Sequence, residues 1–250
     1  MKKILKTIVE WQMMFWAKVY IWRTNPQIIV VSGITNRRVF KETIYLKLKG
    51  RFGDVAEPTR CGQQVIRVSP ENHNAELGIP LSILGLKVTK RSDWFYLMYK
   101  AKIRALFGKR VDKIILEVAV DKPNNMDYML KIFTPNVVVL TNVEPAYMEN
   151  FGTLDNIAKE YKKLVSRVPK NGLVVLNNDD ERVASLARFP KAKVITFSVD
   201  NNSDYKAKDI KKTDNGQVFE INNESIELNK FGVHYVLAEL AGIVVEDYYK

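Results

Sequence analysis

The stretch Val31-Ser-Gly-Ile-Thr-Asn-Arg-Arg-Val-Phe-Lys-Glu carries the residues best placed to do chemistry. An apolar run, Ile28-Ile-Val-Val, reads as a buried parallel strand, and residues 38–49 read as the helix that follows. A turn carrying Gly33 joins them, the strand–loop–helix setting in which backbone N–H groups and a helix N-terminus hold phosphate. The working pattern G-x-x-x-x-G-K-[ST] ends in glycine, lysine and a hydroxyl. Measured from the strand, those places hold Asn36, Arg37 and Arg38. Gly33, Thr35, Asn36, Arg37 and Arg38 are therefore the candidate nucleotide- or anion-binding residues, in a frame that lacks much of the usual chemistry.

The surrounding pattern alternates strand and helix. Strands are expected at 27–32, 64–68, 113–120, 137–141, 173–176 and 193–198, and helices at 38–49, 74–84, 93–107, 126–133, 154–168 and 180–188. Within 93–107, Trp94, Leu97, Met98, Ala101 and Ile103 are expected toward the core. This repetition argues for an α/β fold, a mostly parallel sheet with helices on both faces. From Tyr205 the texture changes: 206–210, 217–221 and 225–228 read as short antiparallel strands, with Asp214-Asn-Gly and Asn222-Asn as turns. A last helix is expected at 233–242. The expected organisation is an N-terminal helix at 1–24 and one domain at 25–250, with a small β appendage at about 205–230.

Composition narrows the function classes. A single cysteine, Cys61, excludes an internal disulfide framework and fits a reducing compartment, and with two histidines a structural zinc site is excluded as well. The net charge of +11 points to an anionic neighbour: a phosphate-bearing ligand, nucleic acid or the inner face of a membrane. A solvated lysine-rich surface accounts for it equally well, and the spread of the lysines along the chain disfavours nucleic acid.

The first residues do not form a cleavable signal, because no small-residue cleavage site follows Lys2, Lys3 and Lys6. Glu10, Gln12 and Lys18 interrupt any span of about 20 apolar residues. On a helical wheel Ile4, Leu5, Ile8, Trp11, Phe15, Trp16, Val19 and Trp22 gather on one face, opposite Lys2, Lys3, Lys6 and Glu10. The helix at 4–22 is thus amphipathic, and two partners stay open for it: a membrane interface, or the protein itself or another protein.

Six segments then fall in order from Ile28 to Gly242. They are Val31-Ser-Gly with Lys41-Glu; Asn72-His-Asn-Ala-Glu-Leu-Gly-Ile-Pro-Leu; Leu116-Glu with Asp121-Lys-Pro and Met126; Thr134-Pro-Asn-Val-Val-Val-Leu-Thr-Asn-Val-Glu-Pro-Ala-Tyr with Phe151-Gly; Leu176-Asn-Asn-Asp-Asp; and Gly232-Val-His with Leu240-Ala. Together they resemble the central ATPase domain of the Mur ligases, most of all the type that adds D-alanyl-D-alanine to the cell-wall precursor. The resemblance implies a P-loop-like fold. It also implies a reaction in which ATP phosphorylates a carboxylate and an amine displaces the acyl phosphate. In that chemistry a loop lysine steadies the β- and γ-phosphates and a loop hydroxyl holds Mg²⁺. A strand-end glutamate, a histidine and a carbamylated lysine serve the metal, and asparagines of the last helix seat the nucleotide.

Carried over residue by residue, the resemblance leaves gaps. Asn36 replaces the second loop glycine, though asparagine tolerates the left-handed conformation. Arg37 keeps the lysine's charge without its compact ammonium, and Arg38 puts a second cation where the hydroxyl belongs. Tyr147 stands in the histidine's place, Tyr161 in that of the carbamylated lysine, and Tyr235 and Ala238 in those of the asparagines. Glu117 is retained as the one implied metal ligand. Asn72, Asn74, Glu76, Asn177, Asp180 and His234 are retained too. Turn formation and capping account equally for Asn72, Asn74 and Glu76, while a helix start accounts for Asp180 and a structural role for His234. With its first strand at Gln27, the chain would lack the family's uridine-nucleotide domain and the domain that brings the incoming amino acid.

The expectation is a pseudoenzyme, a binding or scaffold protein linked to cell-wall precursor synthesis, with no catalytic residue and no cofactor. The alternative is a divergent ATP-dependent amide ligase acting with other subunits, using ATP and Mg²⁺ at Glu117; a weaker one is a basic nucleic-acid-binding protein. The expected location is cytoplasmic, peripheral to the inner membrane face if the N-terminal helix lies on lipid.

Overall fold

The computed structural model describes residues 2–52, 64–70, 73, 76–87 and 94–250, and for 2–6 the backbone alone. The apolar runs form strands β1 (Gln27–Ser32), β2 (Ile66–Val68), β3 (Lys113–Val118), β4 (Val137–Leu140), β5 (Leu173–Asn177), β6 (Lys193–Ser198) and β7 (Tyr205–Lys206). They pair in the order β2-β3-β1-β4-β5-β6-β7, every pairing parallel. Their continuous hydrophobicity follows from burial on both faces. Alternate residues divide between two cores: Ile28, Val30, Leu116 and Val138 in one, Ile29, Val31, Ile115 and Val139 in the other.

The helices are α1 (Lys2–Thr24), α2 (Arg37–Phe52), α3 (Gly78–Leu84), α4 (Trp94–Phe107), α5 (Asn125–Leu130), α6 (Met148–Phe151), α7 (Leu154–Ser166), α8 (Glu181–Ser185) and α9 (Val233–Tyr248). The first core takes in Met13 and Tyr20 of α1, Leu97 of α4, Met126 of α5 and Tyr161 of α7. The second takes in Phe40 and Ile44 of α2 and Val236 and Leu240 of α9. A separate antiparallel sheet, β10-β9-β8, is built from β8 (Lys208–Thr213), β9 (Gly216–Ile221) and β10 (Glu224–Leu228). Its two-residue turn at Asn222 and Asn223 holds both at positive φ, 51° and 66°, and Phe219 and Ile221 anchor it in the second core.

Several expectations need correction. The buried stripe of α1 is Val9, Met13, Ala17, Tyr20 and Thr24, whereas Ile8, Trp11, Phe15 and Trp22 of the expected apolar face are exposed. The distance between packed helices is set by the side chains at the contact, and this narrower stripe lets α1 seat against α3 and α4. The Tyr20 hydroxyl then donates to the Lys109 carbonyl at 2.8 Å. In α4 Ile103 is exposed and Ala105 is buried in its stead. Helix α3 starts at Gly78 rather than 74, and residues 74–75 lie outside the described set. Helix α9 runs past Gly242 to Tyr248. Gly242 is a contact point, since a Cβ there would come 3.2 Å from Thr43 Cγ2 on α2. Residues 205–206 join the parallel sheet, so the antiparallel strand begins at Lys208 rather than 206. The short helix α6 carried no periodic signal.

Candidate functional site

From β1 the chain crosses to β2 and β3 on one side, then returns past β1 to β4 on the other. The crevice beyond the carboxyl ends of strands at such a reversal is where open α/β sheets bind ligands. The loop after β1, the end of β3 and the segment after β4 meet there.

The loop geometry is set by its residues. Gly33 has φ 134°, and a Cβ would fall 2.0 Å from Thr141 Oγ1, so only glycine fits. Asn36 takes the left-handed conformation at φ 59° and opens α2. Asn142, which the spacing did not single out, clamps the loop. Its Oδ1 accepts from the Ile34 and Thr35 N–H groups at 3.0 and 2.9 Å, and its Nδ2 donates to Thr35 Oγ1. Thr141 Oγ1 donates to the Thr35 carbonyl at 2.9 Å. Both residues stand in the Thr-Asn pair that follows β4, the signal that could have revealed them.

Glu117 lies opposite Val31 in the β1–β3 register. Its Oε2 is 3.1 Å from the buried Lys41 Nζ, and its Oε1 is 3.6 Å from Arg37 Nε. Arg37 and Lys41 are four residues apart on α2 and so share a face. Lys41 also donates to the Ser69 carbonyl at 3.1 Å, and Ser69 Oγ accepts from the Glu117 N–H at 3.0 Å. Arg37 turns back into its own loop, where Nη1 donates to the Gly33 and Ile34 carbonyls. Arg38 points to the exposed side and donates to Glu42 Oε1 at 2.8 Å.

Tyr161 projects from α7, whose start Thr153 caps by accepting from the Asn156 N–H. Its hydroxyl is buried and has no hydrogen-bond partner among the described residues. Burial pushes that phenol above the usual tyrosine range; Arg37 pulls the other way, while Asp180, Glu160 and Tyr147 reinforce the rise. Tyr147 sits half-exposed at φ 52° just before α6. His73, another residue not singled out, has its imidazole pKa lowered by burial first and then by Lys41 and Lys87.

The other retained positions support the site or lie outside it. Asn177 Nδ2 donates to the Thr141 carbonyl at 2.8 Å. Asp180 caps α8 by accepting from the Val183 N–H at 2.9 Å, and its Oδ2 accepts from the Val143 N–H at 2.7 Å. Both hold the 141–143 segment that clamps the loop. Glu76 is engaged elsewhere, with Lys122 at 2.8 Å and Asn125 at 3.4 Å. His234 packs on the Tyr235 ring at the start of α9. Asn72 and Asn74 lie outside the described residues. Among the described residues no three His, Cys, Asp or Glu side chains converge to hold a metal.

Comparison with known proteins places the fold. The profile of the family described as Mur ligase middle domain matches residues 64–245, starting after the loop. The UDP-N-acetylmuramoyl-tripeptide–D-alanyl-D-alanine ligase of Mycobacterium bovis is 33% identical over 135 residues, which is 54% of this chain and 22% of that protein. The ligase of the same name from Haemophilus influenzae is 22% identical over 88% of this chain and 42% of its own length. In structure, the Thermotoga maritima MurF ligase, solved in complex with ADP, superposes with a TM-score of 0.73 at 21% identity, over 93% of this chain and 48% of that one. The chain thus spans less than half the length of these relatives. With a profile match over most of its residues and a fold shared with a Mur ligase, the chain belongs to the Mur ligase middle-domain family.

Proposed function

We propose that the chain is a non-catalytic member of this family, a binding or scaffold protein of cell-wall precursor synthesis. It holds a nucleotide phosphate or similar anion at the 33–38 segment, where the loop opens α2, without Mg²⁺. The carrying observation is that Glu117, the one retained metal-ligand position, has the Lys41 ammonium at 3.1 Å and the Arg37 guanidinium at 3.6 Å. Two unit charges 4 Å apart repel by about 4 kcal/mol at an effective dielectric of 20, so a divalent cation beside those two groups is disfavoured several times over. Tyr147 and Tyr161 stand where the resemblance puts two further ligands, and a neutral phenol is a poor donor to Mg²⁺. The residues present do not fit the metal.

They do fit an anion. Asn142 already engages the Ile34 and Thr35 N–H groups. The first turn of α2, beginning at Arg37, supplies the remaining donors, because a helix leaves its first N–H groups without intrahelical partners. Titration calorimetry with ATP should give the same affinity with and without Mg²⁺, and phosphate release should stay at the buffer rate. Metal-dependent turnover that Glu117→Ala abolishes would overturn this function.

A divergent ATP-dependent amide ligase completed by another subunit is the second reading. It is favoured by the intact loop backbone and by Glu117 at the end of β3, and it requires that Mg²⁺ tighten ATP binding. In either role the proposed location is cytoplasmic and peripheral to a membrane; no helix among the described residues is long and apolar enough to cross one.

A further inference from the structure

Helix α4 buries Leu97, Ala101 and Ala105 against α1 and α3 and turns a different face to solvent. That face carries Phe95, Tyr99, Ile103, Leu106 and Phe107, with Phe95 76% and Phe107 75% exposed. At 100° per residue, Lys102 flanks this apolar ridge on one edge and Lys100 on the other. Lys100 Nζ lies 4.3 Å from the centroid of the Tyr96 ring. Lys109 and Arg110 follow directly, and the segment 94–110 holds five basic residues and no acidic one. At the same end, Arg23 of α1 donates to the Ala105 and Gly108 carbonyls. Trp22, the residue before Arg23, is 85% exposed.

We infer that the exposed face of α4 is a docking surface for an anionic lipid bilayer, on which the aromatic ridge enters the interface and the flanking cations meet the headgroups. The charge decides the occupant. A protein interface depletes lysine at its core, whereas an interfacial helix pairs an apolar, aromatic face with lysines that extend their stems along the apolar layer and place their charges among phosphates. The absence of any carboxylate over 94–110 is complementary to a negatively charged surface. A membrane interface, one of the two partners left open for the N-terminal helix, is here assigned to α4, whose exposed apolar face is flanked by lysines on both edges. This surface is independent of the loop and its ligand, so failure of one leaves the other standing.

Flotation of the full chain with vesicles tests the inference. Vesicles of phosphatidylcholine with roughly 30% phosphatidylglycerol should bind it at least about tenfold better than phosphatidylcholine alone, with the difference lost at high salt. The double variant Phe95→Ser/Phe107→Ser should abolish binding, and Lys100→Glu/Lys102→Glu should remove the preference for anionic vesicles. All four side chains are exposed, and circular dichroism of each variant checks that the fold is kept. Equal binding to both vesicle types, no binding, or retention by the serine variant would each overturn the inference. So would a concentration-dependent dimer that the serine variant dissolves, since it would assign the face to a second copy of the chain.

Discussion

At the scale of single residues, the site turns on a buried ion pair. Lys41 is almost wholly inaccessible, and removing it breaks the 3.1 Å pair with the buried Glu117 carboxylate, which then keeps Arg37 at 3.6 Å as a counter-charge. Lys41→Met should therefore cost about 3–5 kcal/mol in urea unfolding, the range for breaking a buried pair from one side. Tyr161 behaves oppositely. Its hydroxyl, without a hydrogen-bond partner among the described residues, carries a desolvation cost, so Tyr161→Phe should stabilise the chain by about 1 kcal/mol. The places of Gly33, Asn36 and Arg37 between β1 and α2 were legible in the sequence because a loop is local, whereas Glu117 was reached only through the family resemblance. The engagement of Glu117 by Lys41, the clamp by Asn142 and the inward turn of Arg37 were not. Each joins residues that are distant in sequence or depends on a rotamer.

At the scale of elements, α1 shows where periodicity misleads. Its tryptophans dominate any hydrophobic average, yet the packed seam consists of Val9, Met13, Ala17 and Tyr20. Met13→Ala should cost about 2–5 kcal/mol as a core truncation, whereas Trp11→Ala should change thermal stability by no more than about 0.5 kcal/mol. The reverse ranking would restore the face read from the helical wheel. The loop makes a similar test of backbone. Gly33→Ala combines a positive φ with a Cβ at 2.0 Å from Thr141 Oγ1. It should destabilise by at least about 2 kcal/mol, measured by denaturant midpoint, and displace the start of α2.

At the scale of the whole molecule, several phenols are held protonated by the fold. Burial, the largest cause in each case, raises Tyr128 and Tyr205 to about 12 and moves Tyr161 and Tyr249 higher still. A raised folded pKa contributes stability that is complete below the unfolded value of about 10 and is lost as pH climbs toward the folded value. Melting temperature should accordingly hold between pH 8 and about 9.5 and fall steeply from about 10 to 12, with a shallower fall in Tyr161→Phe.

By itself the sequence determined the α/β class, the places of the central parallel strands and the family, because strands buried on both faces must be continuously apolar and because signature spacings survive in one dimension. Only the tertiary structure decided which face of α1 is buried, that α4 carries an exposed aromatic ridge edged with lysine, and that the Glu117 carboxylate is met by Lys41 and Arg37. Those facts are set by which surfaces find a partner in three dimensions, and a helix with apolar residues on more than one side does not disclose in advance which side will be covered.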